Sequence, residues 1–230
     1  MSQEQTLKQV EAGIGWTFKK ESLLIEALTH STFAHEHPDF GPPNERLEFL
    51  GDAVLDLVVA NQLLKIFPDE REGMLSRRRA AVVQSQALAD IAQNYGLDHF
   101  LLVGGGIAKV RQEKGLTKRI LSCAFEALVG AVFLDGGIAA VESCFGENLT
   151  QAIGKSGEWL DYKTILQEYC HREKMEIPVY KTLEVGGPEH AREYTCSVQV
   201  GGKPLGDARA SKVKTAEQLC AKQAMDALGV

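Results

Sequence analysis

Hydrophobic periodicity changes once along this 230-residue chain, and that change limits the fold more than any other feature. Through the first 150 residues, apolar side chains recur three and four positions apart, the spacing of one helix face, at 22–28, 46–64, 77–95 and 120–134. Breaks rich in Pro and Gly fall at 38–43, 67–73, 104–106 and 135–137. Residues 151–160 (QAIGKSGEWL) are polar and hold two glycines, the composition of a linker. Beyond them a helical pattern at 162–174 gives way to short alternating runs at 179–184, 193–200 and 204–210. A last helix is expected at 211–228, with Ser211 as its N-cap. The expectation is an all-α domain over 1–150, a linker over 151–160, and a small α+β domain of order α-β-β-β-α over 161–230.

Composition narrows the class. The apolar share is 44% and the charged share 24%, ordinary for a globular chain. The N-terminal stretch is polar, and no uninterrupted apolar run approaches the roughly 20 residues of a membrane span. Five cysteines are scattered without a CxxC pair, so they read as reduced thiols in a cytoplasmic protein with no membrane partner. The net charge of −6 argues against a simple nucleic-acid binder. That excess is local: residues 1–159 carry 15 basic against 21 acidic side chains, and residues 160–230 carry ten of each. Placement of charge, rather than its sum, must decide what each part binds.

The most informative stretch is NERLEFLGDAVL at 44–55. At about 100° per residue, Glu45, Glu48 and Asp52 fall within roughly 60° of one another on a helix. Leu47, Leu50, Val54, Leu57 and Val58 gather opposite them and are expected in the core. Like charges at this spacing weaken a helix. A divalent cation offsets the repulsion, and hard carboxylate oxygens are what Mg²⁺ selects. A solvated acidic face is an equally good reading of the spacing alone, and for Asp56, on the same stripe, it is the better one. Glu126 is the single charge in the apolar run ILSCAFEALVGAVFL at 120–134. A carboxylate there is expected to be paired, hydrogen-bonded or metal-bound.

On these residues the chain resembles bacterial ribonuclease III in its short form, with one nuclease domain and one double-stranded-RNA-binding domain. The twelve-residue signature at 44–55 carries the resemblance, with Ala27-Leu28-Thr29-His30-Ser31 before it and FEALVGAVFLDGG at 125–137 after it. The resemblance implies that Glu48, Asp52 and Glu126 ligate Mg²⁺ (Mn²⁺ substituting), with Asp52 and Glu126 catalytic. It implies that Glu45 lies near the scissile RNA strand and that Glu72 is lent to the cleft by a partner subunit of a homodimer. The reaction implied is hydrolysis of double-stranded RNA to 5′-phosphate and 3′-hydroxyl ends with short 3′ overhangs, in the processing of ribosomal and messenger RNA.

One position departs from the family pattern. Cys123 stands where a metal-binding Asp is expected, three residues before Glu126. A thiol is a soft ligand and a poor stand-in for oxygen around Mg²⁺. Two outcomes follow: a nuclease working with three carboxylates, or a duplex-RNA-binding protein impaired in cleavage. Cys123 itself reads as a small apolar packing residue. A third class, a helical metal-dependent hydrolase of small phosphates, would not need the tail.

In the tail, Lys212 and Lys214 sit at a helix start, where free N–H groups and the helix dipole attract phosphate. The resemblance implies that Gln167 and Glu168 face an RNA minor groove and that His190, in Gly187-Pro188-Glu189-His190, enters the next. Readout would follow duplex shape rather than sequence. Smaller features read as structural. Arg77, Arg78 and Arg79 are taken to begin a helix that touches RNA or solvent. His30 is taken as a hydrogen-bonded histidine. The glycines at 104–106 lack a phosphate-loop context, so no nucleotide cofactor is expected.

Overall fold

The computed structural model describes residues 3–186 and 192–229 and divides into two compact units, 1–159 and 160–230. Unit 1 is built from nine helices among the described residues: α1 (Gln3–Ile14), α2 (Glu21–Ala27), α3 (Ser31–Glu36), α4 (Glu45–Ile66), α5 (Glu72–Val82), α6 (Ser85–Asn94), α7 (Leu97–Phe100), α8 (Gly105–Lys114) and α9 (Lys118–Lys155). A 3₁₀ turn, Ser156–Trp159, ends it.

α9 is the axis of this unit, and α4 and α6 pack against it. By length and composition α9 is apolar enough to cross a membrane, yet Leu121, Phe125, Leu128, Val132, Phe145 and Leu149 are fully buried in the protein core. Thr117 caps its start, accepting from the Ile120 N–H. The expected break at 135–137 is a kink rather than an end: Gly137, at φ 74°, turns the chain where an L side chain would be strained, and the helix resumes. Asp135, just before the kink, accepts hydrogen bonds from Trp16 Nε1 and the backbone N–H groups of Lys19 and Lys20, tying α9 to the loop after α1.

Three expectations need correction. Residues 151–160 are not a linker. α9 runs to Lys155, Ala152, Ile153 and Ser156 are buried, and Ser156 Oγ donates to Ile153 O while accepting from Arg78. Tertiary packing overrides the polar composition there. The single helix read over 77–95 is two. The chain leaves the helix at Val83 and extends at Gln84 before α6 begins. The three arginines therefore lie inside α5 rather than at its start. Arg78 forms a bidentate pair with Glu70 and lies over the Phe67 ring, and Arg79 pairs with Asp56 at 3.4 Å. The glycines at 104–106 open α8, and there Gly105 N–H donates to the Glu36 carboxylate, so the chain supplies its own anion to that helix start.

Unit 2 runs α10 (Tyr162–Arg172), β1 (Val179–Gly186), β2 (Glu193–Val200), β3 (Lys203–Ala210) and α11 (Val213–Leu228). The strands form one antiparallel sheet in the order β1-β2-β3. In register, Thr182 opposes Cys196 and Cys196 opposes Ala208. Both helices bury their apolar stripes: Ile165, Leu166 and Cys170 from α10, and Ala216, Cys220, Ala221 and Ala224 from α11, meeting Cys196 and Val198 of the sheet. The Cys220 thiol donates to the carbonyls of Cys196 and Gly206, and all five cysteines are free. α11 starts one residue later than the Ser211 cap predicts: Lys212, in extended conformation, is the N-cap and makes no side-chain cap bond. The α-β-β-β-α order stands as read from the alternating runs.

Candidate active site

α4 and α9 cross closely enough that two glycines are obligatory. A Cβ on Gly51 would overlap the Glu126 carbonyl, and one on Gly130 would overlap that of Leu47. This backbone contact sets the carboxylates of α4 beside those of α9, although some 75 positions separate them in the chain. α4 is positioned in turn by its first residues. Asn44 is 3% exposed; its N–H donates to Thr29 O and its side-chain amide to Ala27 O. Thr29 and Leu102 form a short parallel bridge that fixes the same corner, where His30 caps α3 by accepting from the Thr32 N–H.

The result is a cavity of about 490 Å³ lined by acid: Glu45, Glu48, Asp52 and Glu126 converge there, with His30, Asn44, Arg119 and Cys123 around them. Ligand-capable atoms of Glu48, Cys123 and Glu126 all lie within 4.8 Å of one another. Burial pushes the Glu126 carboxyl up to about 7, and the charges of Glu48 and Asp52 add to it. The Cys123 thiol is pushed up to about 12, first by burial, then by its hydrogen bond to Glu48 and the charges of Glu48 and Glu126, against the pull of Arg119. Burial lowers His30 although Glu45 and Glu48 oppose it, which favours the neutral ring.

The carboxylates predicted on α4 and α9 are thus gathered in one place. Glu72 is not among the residues lining this cavity. It sits in the first turn of α5, exposed, accepting from Ser76 Oγ at 2.7 Å. Gln167 and Glu168 are exposed on α10, and Lys212 and Lys214 are exposed at the start of α11. His190 lies outside the described residues. Two expectations change. Cys123 is not packed into the core but half-buried in the cavity wall. Leu57, assigned to the core face of α4, is 60% exposed. Asn44 and Arg119 were not singled out by sequence reasoning. Asn44 carries a signal, since it heads the motif at 44–55, whereas Arg119 has none: its place beside α4 arises only from the helix crossing.

A divalent cation fits this donor set in part. Glu48 and Glu126 bring hard oxygens within 4.8 Å of each other, Asp52 lines the same cavity, and the repulsion among the three is what a cation relieves. The fourth side chain offers sulfur.

An acidic two-helix cavity on a helical domain, followed by an α-β-β-β-α unit, defines a nuclease coupled to a duplex-RNA-binding module. Two family descriptions match accordingly: Ribonuclease-III-like over residues 20–153 and double-stranded RNA binding motif over residues 162–228. The chain is 42% identical over 215 residues to "Ribonuclease 3" of Symbiobacterium thermophilum, covering 92% of this chain and 90% of that protein. It is 39% identical over 228 residues to "Ribonuclease 3" of Bdellovibrio bacteriovorus, covering 97% and 96%. Among solved structures, the nuclease domain of ribonuclease III from Campylobacter jejuni superposes with a TM-score of 0.57 at 36% identity, covering 64% of this chain and 97% of that one. The chain belongs to the ribonuclease III family and carries an endoribonuclease domain followed by a double-stranded-RNA-binding motif.

Proposed function

We propose that this protein is a Mg²⁺-dependent endoribonuclease that cuts double-stranded RNA to 5′-phosphate and 3′-hydroxyl ends with short 3′ overhangs, acting as a homodimer on ribosomal and messenger RNA precursors in the cytoplasm. The observation that carries the reading is the convergence of Glu45, Glu48, Asp52 and Glu126 on one cavity. Glu48, Asp52 and Glu126 would hold the cation, Mn²⁺ serving in place of Mg²⁺. When bound, such an ion polarises the phosphate and lowers the pKa of a water molecule.

The chain's own groups divide the remaining work. Glu126, protonated up to about neutral pH while alone, gives up its proton to become a ligand, so metal binding strengthens as pH rises. Arg119 brings positive charge to a wall that also carries four carboxylates, where an RNA phosphate must approach. Lys212 and Lys214 at the start of α11, together with Gln167 and Glu168 on α10, would grip the duplex, as would His190. They recruit by shape, which leaves the cut to be fixed by the nuclease domain.

A third face of α4 supports the homodimer. Between its carboxylate face and its core face runs an exposed apolar stripe of Phe49, Leu57 and Leu64, 80%, 60% and 61% exposed. Side chains of that size left to solvent in a row mark an interaction surface. A second copy seated on it would bring its Glu72, which lies outside its own cavity, toward the partner's. The region "involved in dimer formation" is named for the Campylobacter jejuni nuclease domain.

Neither competing reading gains support. The cleavage-impaired alternative rests on Cys123 alone, while Glu48, Asp52 and Glu126 all line the cavity. A small-phosphate hydrolase has no use for the RNA-binding motif over residues 162–228. The test is cleavage of a labelled RNA duplex in Mg²⁺ by the full chain and by Glu126→Gln. The expected outcome is cutting by the first, a loss of about 10²–10⁴-fold in the second, and unchanged duplex binding by gel shift. Full activity in Glu126→Gln would remove the assignment.

A further inference from the structure

Cys123 lines the cavity with a part neither in the core nor in the proposed reaction. On α9 the buried side is taken by Leu121, Ala124, Phe125 and Leu128. Cys123, three residues before Glu126, shares the face of that carboxylate instead. Its sulfur, with oxygens of Glu48 and Glu126, makes a cluster no wider than 4.8 Å. Two carboxylate donors and one sulfur are a different ligand set from the all-oxygen shell that Mg²⁺ prefers. Thiolate selects softer or borderline ions, and Zn²⁺ accepts sulfur at about 2.3 Å together with carboxylate oxygen at about 2.0–2.2 Å. Donors on such a tetrahedral ion sit roughly 3.3–3.8 Å apart, so closing the cluster requires a contraction of about 1 Å, within the reach of side-chain rotation alone.

We propose that Glu48, Cys123 and Glu126 form a mixed thiolate–carboxylate site that takes a borderline divalent cation of the Zn²⁺ kind in preference to Mg²⁺, making the nuclease cavity sensitive to that ion. The proposal rests on the reading of this cavity as the metal centre. On binding, the Cys123 S–H bond breaks, its proton passes to solvent and the sulfur electron pair forms the bond to the ion; no electron changes hands. An ion so held occupies the two glutamates that Mg²⁺ needs, and it therefore blocks Mg²⁺-supported cleavage.

The test uses the full chain with Co²⁺ as an optical probe, since thiolate bound to Co²⁺ gives a near-ultraviolet charge-transfer band. One Co²⁺ per chain is expected to raise the band, excess Mg²⁺ to leave it, and stoichiometric Zn²⁺ to abolish it by replacement. Cys123→Ser and Cys123→Asp are each expected to lose the band while keeping the wild-type circular dichroism, and in Cys123→Asp Mg²⁺ displaces bound Co²⁺. No band in the wild type, or a band that survives in either variant and so arises from Cys144, Cys170, Cys196 or Cys220, overturns the proposal. Cleavage of duplex RNA in Mg²⁺ is scored separately. Cutting without the band removes this inference and leaves the nuclease reading. The band in the wild type, with no cutting by either the wild type or Cys123→Asp, removes the nuclease reading and leaves the metal site.

Discussion

The two units assemble their functional groups in opposite ways. In the RNA-binding unit, Lys212 and Lys214 stand within three positions of each other at the start of one helix, exposed, where the chain's local geometry suffices to present them. In the nuclease unit, Glu48 and Glu126 come from two helices, and only the contact of Gly51 with Gly130's neighbourhood brings them together. One surface tolerates change; the other depends on backbone packing at a single crossing. The acidic cavity also concentrates like charge, whereas the start of α11 spreads its cations in solvent.

That contrast ranks the expected effects of substitution. The largest belongs to Gly51→Ala, whose methyl group meets the Glu126 backbone rather than a side chain that can move aside. Overpacking of this kind costs about 3 kcal/mol or more. Thermal unfolding should show a lowered midpoint and duplex cleavage should disappear, with RNA binding by unit 2 retained. A wild-type midpoint would mean that α4 and α9 are not in the contact described.

Next comes the pH dependence of the metal-free protein. Glu126 has a pKa raised to about 7 in the fold, against an ordinary value of 4.5 in the unfolded chain. Between those values the folded state binds the extra proton, so this group's contribution favours folding at low pH and is lost as pH rises from about 4.5 through 7. Solvent screening at this partly exposed carboxyl holds the loss to about 2 kcal/mol. Denaturant titrations in the presence of a chelator should therefore show stability falling across that window, and Glu126→Gln should flatten this component. Added divalent cation should reverse the sign, stabilising more as pH rises. An unchanged slope in Glu126→Gln would place the carboxyl outside the acidic cluster.

The smallest effects are expected in unit 2. Lys212→Ala and Lys214→Ala should each weaken duplex binding about uniformly across sequences and reduce the slope of log affinity against log salt by about 1. Gel shifts at several salt concentrations measure both quantities. A flat salt response in the wild type would argue against phosphate contacts by these lysines.

Legibility in the sequence follows the same division. The strands of unit 2 could be read almost to the residue because alternation is local and glycines at 186 and 201–202 punctuate it. The helices of unit 1 could be read from their period, but not all of their ends. Nothing in AAVVQS at 80–85 announces the break at Val83, and nothing in QAIGKSGEWL at 151–160 announces that Ile153 and Ser156 are buried. Periodicity also placed Leu57 inside, on the flank of the core face. It is instead part of the exposed stripe with Phe49 and Leu64, which only a three-way division of α4 into acidic, apolar-exposed and buried faces explains. The acidic residues of the site were visible as a motif and as a lone charge. Their meeting with Arg119 and Cys123 was not, because it is a property of the crossing.

The most direct test of the account is cleavage of a labelled RNA duplex in Mg²⁺ by the protein as it stands, beside Cys123→Asp, with the product ends mapped. Both proteins are expected to cut and to leave 5′-phosphates, if Glu48, Asp52 and Glu126 hold the ion as proposed. Cutting by Cys123→Asp alone would contradict the account and make this chain a protein that binds duplex RNA without cleaving it.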